Sequence, residues 1–380
     1  MQEDLSHWVG KARALQPVLR ARARAHELGG SLDTEIVAKL RTNGLLNLVT
    51  PEVFGGQETN YTTLAATIAE IAEACMSTAW VAAVANAHNW MVTGFSERAQ
   101  QEYYQDQAVF SSASFAPTGT ATLVPDGLIA DGRWSFLSGV DHAQWVFLTG
   151  LAAQSPDARP AGPWCMMIPI DAVRIDHDSW QVAGLSGTGS KDVILNHVEV
   201  PAHRTVYLPT LRSNQGPGQG SHTGQLFSTP FHAALISILA APILGAGRGA
   251  LNQFKTYTKD RVVKMTGERH AEQAASQLIL AECAAAIEAA DAVLERTFYA
   301  IDQIRPPLPE LVGKVPRDTA YAVRLIYQAV NMMMANAGGN SAKLENPLQR
   351  SWRDIQTASN HAALNWASAA QQWGKGVLAG

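Results

Sequence analysis

The sequence predicts an α+β chain in three successive parts: an N-terminal helical domain (1–107), a central β-sandwich or barrel domain (108–224) and a C-terminal helical bundle (225–380). Three observations carry this reading. Apolar residues recur at three-to-four spacing through the first hundred residues and again after about residue 228, as one-sided helices require. Between them lie short apolar or alternating runs punctuated by Gly, Pro and Asp, the pattern of strands and turns. A Gly- and Ser-rich stretch, 213–224 (SNQGPGQGSHTG), closes the strand region as a flexible boundary.

Taken in order, Leu32, Ile36 and Leu40 mark a first apolar face, with Ser31 and Asp33 available as caps and Gly44 as the stop. Thr-Pro-Glu-Val-Phe-Gly-Gly (50–56) is a turn-rich connection. Leu64, Ile68 and Ile71 mark a second face, and Trp80, Val84, His88 and Met91 a third, on one stripe of one helix. The strand runs are 108–116, 121–124, 128–137, 145–151, 164–170, 193–200 and 204–208. Leu280, Cys283, Ile287, Leu294 and Phe298 define a long Ala-rich helix that Pro306, Pro307 and Pro309 interrupt. A further helix is expected over 317–337, and a last one over 352–374 that carries His361 and Asn365 one turn apart.

Composition narrows the function classes. The chain has 380 residues, 47% hydrophobic and only 16% charged, so part of its surface is expected to be buried in an oligomer. Net charge is −4 with no basic block, which speaks against nucleic acid. Cys75, Cys165 and Cys283 are scattered and odd in number, which excludes a disulfide scaffold and fits a reducing cytoplasm. The charged N-terminus shows no signal peptide, and the apolar run 233–247 is too short to span a membrane. Eleven histidines include no HExxH and no His/Cys pair at ligand spacing, so no metal site is expected. No P-loop and no GxSxG elbow is present. Gly245-Ala-Gly-Arg-Gly-Ala250 fits the dinucleotide fingerprint, but Pro242 occupies the strand it would need. Small residues at a close helix crossing explain it better.

Three places remain as candidates on residue chemistry. In 131–145 (DGRWSFLSGVDHAQW) a strand ends in Ser138-Gly139, where a hydroxyl can meet a planar ligand or simply make a turn. His361 lies in an Ala-rich neutral segment, as a satisfied core group or a pocket group. His88, on the apolar stripe of Trp80, is open to the same two readings.

Together these pieces resemble the acyl-CoA dehydrogenase fold over nearly the whole chain. Pro51-Glu-Val-Phe-Gly-Gly, Gly187-Thr-Gly-Ser-Lys-Asp-Val with Val198-Glu-Val-Pro201, Leu244-Gly-Ala-Gly-Arg-Gly-Ala-Leu and Gln349-Arg-x-x-Arg-Asp-Ile match that family's segments in order. Two departures sharpen the resemblance. Ser111-Ser-Ala-Ser-Phe-Ala-Pro-Thr replaces the dehydrogenase flavin loop, and Ser359-Asn-His361 replaces the region of its base, with no carboxylate. Without a base for the α-proton of a thioester, acyl-CoA oxidation loses its chemistry. What remains resembles the flavin-dependent monooxygenases of this fold, the oxygenase halves of two-component systems. Their W-x-F-x-S-G-x-x-H-A-x-W, H-x-W and R-D-I-x-x-x-x-x-H patterns appear here as Trp134–Trp145, His88-Asn-Trp90 and Arg353–His361.

That resemblance implies an activity and a set of roles. The enzyme would take reduced FAD or FMN from a separate NAD(P)H flavin reductase, form the C4a-hydroperoxide with O2, and hydroxylate a small aromatic, phenolic or indole-like substrate. Ser138 would sit at flavin N5, His361 at the peroxide, and His88 with Trp90 at the substrate. Ser112, Ser114, Trp134 and Arg261 would contact the cofactor, Arg261 without the Phe-Gly that usually follows it. A cytoplasmic homotetramer is expected. The alternatives are N- or S-oxygenation on the same fold, an acyl-CoA dehydrogenase with a displaced base, and a helical interaction module that binds no flavin.

Overall fold

The computed structural model describes every residue except 1, 107–108, 156–157, 230, 263–264, 304–308 and 380. The expected boundary at 107/108 and the prolines Pro306 and Pro307 therefore lie outside the described residues.

The N-terminal part is five helices: α1 (Gln2–Gly29), α2 (Thr34–Thr42), α3 (Tyr61–Ala72), α4 (Met76–Met91) and α5 (Glu97–Tyr103). Their starts follow from capping. Asp33 accepts from Ile36 N at 2.8 Å and opens α2, and Asn60 does the same for α3 through Thr63 N. α3 receives a second cap from far along the chain, because Asp302 accepts from Tyr61 N and Thr62 N at 2.7 and 3.0 Å. α4 is buried nearly all round, and Val84 is its one half-buried residue. A helix buried on every face belongs in the middle of a layered fold.

The chain then forms β1 (Ser111–Val124), β2 (Gly127–Leu137), β3 (Trp145–Ala153), β4 (Gly162–Pro169), β5 (Arg174–Asp176), β6 (Lys191–Pro201) and β7 (Thr205–Tyr207). They hydrogen-bond as one seven-stranded sheet in the order β5-β6-β2-β1-β3-β4-β7, with β1–β3 the parallel pair. β4 and β6 stand four places apart in that order yet approach each other, so the sheet curls on itself in the manner of a barrel. Its inner face has its own core of Trp134, Val146, Leu148, Met166, Ile168 and Val193, separate from the helical core. β1 slips register between Ser114 and Gly119, a bulge that ends its regular pairing with β3 just past its serines.

α6 (Leu208–Arg212) follows β7 and lies against β4 and β7, and the C-terminal part holds α7 (Phe231–Ile238), α8 (Ala240–Asp260), α9 (Ala274–Gln303), α10 (Pro309–Asn336), α11 (Pro347–Ser359) and α12 (Trp366–Ala379). The glycine-rich segment lies inside α8. A Cβ at Gly245 would stand 1.9 Å from Ala69 O and one at Gly249 2.7 Å from Glu73 O, so these glycines let α8 cross α3 at backbone contact. By length and composition 233–260 is apolar enough to cross a membrane, but 78% of its most apolar stretch is buried inside the protein.

The expected last helix over 352–374 is two helices. α11 stops at Ser359, Asn360 N bonds back to Thr357 O and Ala358 O, and Asn365 opens α12 by accepting from Ser368 N at 2.9 Å. Asn360 and Asn365 both favour helix ends over helix interiors, which is the physical reason for the break. His361 and Asn365 consequently share no helix face.

Candidate functional site

The stripe of α4 forms one wall. Trp80 donates its indole N–H to Ser138 Oγ at 3.2 Å, and its ring lies 6.1 Å from that of His361, tilted by 59°. One side chain thus joins the two residues expected at the cofactor, though they are far apart in sequence. His88 lies eight residues further along the same face, about 12 Å up the helix axis.

The opposing wall is β1 and the end of β2. Ser112 is sealed, and its hydroxyl donates to Ser138 O at 2.7 Å, fixing the strand end that carries Ser138. Gly139 follows in the left-handed region (φ 73°), where a Cβ would meet Phe110 at 2.5 Å. Ser114 shares the face of Ser112 and is 9% exposed, as is Ser138.

His88 is 3% exposed, with the Phe115 and Phe147 rings 6.2 and 6.1 Å away. Its Nδ1 is 3.0 Å from Ser111 O. A carbonyl only accepts, so Nδ1 carries the proton and Nε2 keeps a bare lone pair. Burial pushes the imidazole pKa down to about 4, so the neutral form prevails near pH 7. Behind it, Tyr103 donates to Asn89 Oδ1 and lies 2.7 Å from Ser111 Oγ, which holds β1 against α4.

His361 is exposed at the corner between α11 and α12, although crowding around it lowers its pKa through desolvation. Its Nδ1 accepts from Ala363 N at 3.2 Å and caps the short turn that follows. In the neutral ring the proton then sits on Nε2. The two histidines therefore present opposite faces, an acceptor at His88 and a donor at His361.

Three expected site residues fall elsewhere. Trp134 points into the inner core of the sheet, fully buried, and donates to Thr149 O at 2.7 Å. It fills the space above Gly119 and Gly132, within the sheet's own core and apart from the helical one. Trp90, two residues from His88, turns to the far side of α4 and packs on Tyr61 and Phe231. Arg261 follows α8, donates to Asn336 O at 3.2 Å and lies against Gly338, at the end of α10.

Sequence reasoning passed over two features. Phe136, two residues before Ser138, is 71% exposed, has φ 69°, and stands edge-on to Trp180 at 6.2 Å. By alternation it shares the inward phase of Leu128, Ala130 and Trp134, and it stands outward because the strand shifts register between Trp134 and Leu137, which a short sequence window does not report. Thr188 and Ser190, quoted only for their resemblance, stand directly behind Ser138.

Comparison with known proteins decides the family. The description "Acyl-CoA dehydrogenase, N-terminal domain" matches residues 11–109, and "Acyl-CoA dehydrogenase, C-terminal domain" matches 237–366. The chain is 31% identical to the FADH(2)-dependent resorcinol hydroxylase, oxygenase component, of Rhizobium sp. (strain MTP-10005), covering 97% of this chain and 93% of that one. The chain belongs to the flavin-dependent monooxygenases, as an oxygenase component built on the acyl-CoA dehydrogenase fold. Solved members of this family superpose closely. The 3-HSA hydroxylase from Rhodococcus sp. RHA1 gives a TM-score of 0.92 at 30% identity, covering 99% of this chain and 98% of that one. XiaF from Streptomyces sp., in complex with FADH2 and glycerol, gives 0.94 at 26%, covering 100% and 96%.

Proposed function

We propose that this enzyme hydroxylates a small phenolic or indole-like ring in the slot between α4 and β1, using reduced FAD or FMN brought by a separate NAD(P)H flavin reductase. Bound reduced flavin supplies two electrons: ring C–H, O2 and reduced flavin become ring C–OH, water and oxidised flavin. The residues present fit that cofactor. Phe136 beside Ser138 holds an open aromatic face in a backbone conformation rare for bulky residues. A flat ring system laid on it gains burial and stacking.

The observation that carries the reading is the pair of opposite histidine faces, His88 on the α4 stripe and His361 beside Trp80 at the stripe's other end. His88 Nε2 accepts from a substrate O–H or N–H and so aims the ring. His361 Nε2–H donates to oxygen at the far end, beyond Trp80. Ser138 faces the cofactor, with Ser112 and Ser114 on the same wall. The sheet and the helical layers exclude bulk water, which favours oxygen transfer over release of H2O2. An acceptor at His88 favours a phenol or an indole over a thioether, which has no proton to offer.

The finer assignments belong to this proposal too. The chain is a cytoplasmic homotetramer divided at 1–107, 108–224 and 225–380, and Arg261 meets the cofactor of a neighbouring copy. Supporting this, all three cysteines are free and buried, and Leu278, Tyr299, Tyr321 and Tyr327 stand exposed on α9 and α10. Sedimentation of a monomer at micromolar concentration would overturn the tetramer.

The test of function mixes protein and reduced flavin with ¹⁸O₂ in the presence of a phenol, an indole, an amine or a thioether. Label in the phenol or the indole supports the reading. Label only in the amine or the thioether, or H2O2 alone from all four, overturns it.

A further inference from the structure

A chain of hydroxyls runs from Ser138 into the protein, and its ends fix the direction of every proton in it. At the inner end, Thr188 Oγ1 lies 2.7 Å from Leu185 O and donates to it. Its single proton is then used, so across the 2.7 Å to Ser190 Oγ it can only accept, and Ser190 donates. Ser190 therefore accepts from Ser138 across 2.8 Å. At the outer end the Trp80 N–H, a pure donor, points at Ser138 Oγ. Ser138 thus sends its own proton inward and keeps one lone pair for the slot. Exposure follows the same order: Thr188 is 1% exposed, Ser190 4% and Ser138 9%.

The inner end is itself anchored. Leu185 holds a left-handed conformation (φ 58°) that a leucine adopts only under constraint. Its N–H donates to Asp354 Oδ1 at 2.6 Å, and Gly184 packs on Arg353 O, where a Cβ would stand 2.1 Å away. Asp354 is buried on α11, with Arg350 and Arg353 beside it and Glu27 across from α1. Thr188 O also accepts from Gly139 N at 2.7 Å, which joins the loop to the residue after Ser138.

We infer that Thr188 and Ser190 are positioning residues that make Ser138 a hydrogen-bond acceptor, and that the enzyme thereby discriminates the oxidation state of its flavin. Reduced flavin carries a proton on N5 and can donate to Ser138. Oxidised flavin offers a lone pair there and meets another lone pair. The inference rests on the proposed place of Ser138 at the flavin. No electron or proton is transferred in it; only the direction of existing hydrogen bonds is used.

Anaerobic titrations of the apoprotein with reduced flavin, and separate titrations with oxidised flavin, read the ratio of the two affinities without turnover. Thr188→Val is nearly isosteric but cannot accept, and it frees Ser190 and Ser138 to turn. Ser190→Ala removes the inward acceptor of Ser138 outright. Both should lower the reduced-to-oxidised ratio about tenfold, the worth of roughly one hydrogen bond. Thr188→Ser, which keeps the hydroxyl, should restore the parent ratio, as a purely structural role for the methyl would not. Thermal melts of all variants check folding, and Thr188→Ser keeps the test open should Thr188→Val not fold. If Ser138→Ala lowers the ratio while Thr188→Val and Ser190→Ala leave it at the parent value, the relay is wrong and the site reading stands. If Ser138→Ala also leaves the ratio unchanged, Ser138 does not meet the flavin and both are overturned.

Discussion

The buried seam between α4 and β1 and the open corner between α11 and α12 each hold one histidine, and the two are set in opposite ways. His88 is sealed, loses its Nδ1 proton's freedom to Ser111 O, and is held neutral by burial. His361 is exposed and has its Nδ1 occupied by the N–H of Ala363, a contact local to its own turn. The same ring becomes a fixed acceptor in the seam and a donor at the corner. What decides the difference is the backbone atom each Nδ1 meets, a carbonyl in one case and an amide in the other. A histidine's role here is read from its second nitrogen's partner, more than from the element it sits on.

The largest effect expected from breaking this contrast is at His88. His88→Leu keeps the bulk and removes the acceptor, so product per O2 consumed should fall about 100-fold, the lower end of the range for one positioned proton acceptor. Reduced-flavin affinity should stay within about twofold. Loss of flavin binding instead would place His88 at the cofactor. His361→Ala should act on the other half, raising H2O2 release at the expense of product by roughly 5- to 50-fold, about the worth of one lost hydrogen bond. His361→Asn keeps an N–H and should recover part of that; equal H2O2 yields from the two variants would mean that the donor is irrelevant.

The pH dependence of stability reads the burial of His88. His88 falls from an ordinary value near 6.5 to about 4, so between those pH values the unfolded chain binds a proton that the folded chain refuses. Its contribution is fully present above about pH 6.5 and is lost as pH drops toward 4, by up to about 3 kcal/mol. Asp354 works the other way, since burial raises it to about 6, and its cost grows as pH rises from about 4 to 6. Urea midpoints of the parent and His88→Gln at pH 7.5, 6 and 5 isolate the first effect. The variant should lose less on acidification, and parallel curves would show that His88 does not carry this charge cost.

The smallest expected effect tests a negative. Trp134→Phe loses the bond to Thr149 O and should cost about 1–2 kcal/mol of stability, with flavin affinity unchanged. A changed affinity would return Trp134 to the cofactor.

Much of the order of elements was legible because it rests on local signals. The period of Leu32, Ile36 and Leu40, the cap at Asp33, and the turn-punctuated strands each act within a few residues. The stripe of Trp80, Val84 and His88 was legible for the same reason, and the structure joins it to Ser138 and His361. What escaped depends on contacts across the fold. The side of the sheet that Trp134 faces follows from how the sheet curls, which no short window reports. Trp90 shares a motif with His88, but two residues of helix turn it to the opposite face. The break at Asn360 was masked by the alanines on either side, which suit a helix wherever it ends. The chain of Thr188, Ser190 and Ser138 joins three residues whose hydroxyls, read alone, are ordinary loop side chains.

The opposite setting of the two histidines is tested most directly by long-range ¹H–¹⁵N correlation NMR of the protein labelled with ¹⁵N only in histidine. The His88 and His361 signals are assigned by their loss in His88→Gln and His361→Asn. At pH 7.5 the account predicts a proton on Nδ1 with a bare Nε2 at His88, and a proton on Nε2 with a bare Nδ1 at His361. The same tautomer at both positions, or a charged ring at His88, would contradict it.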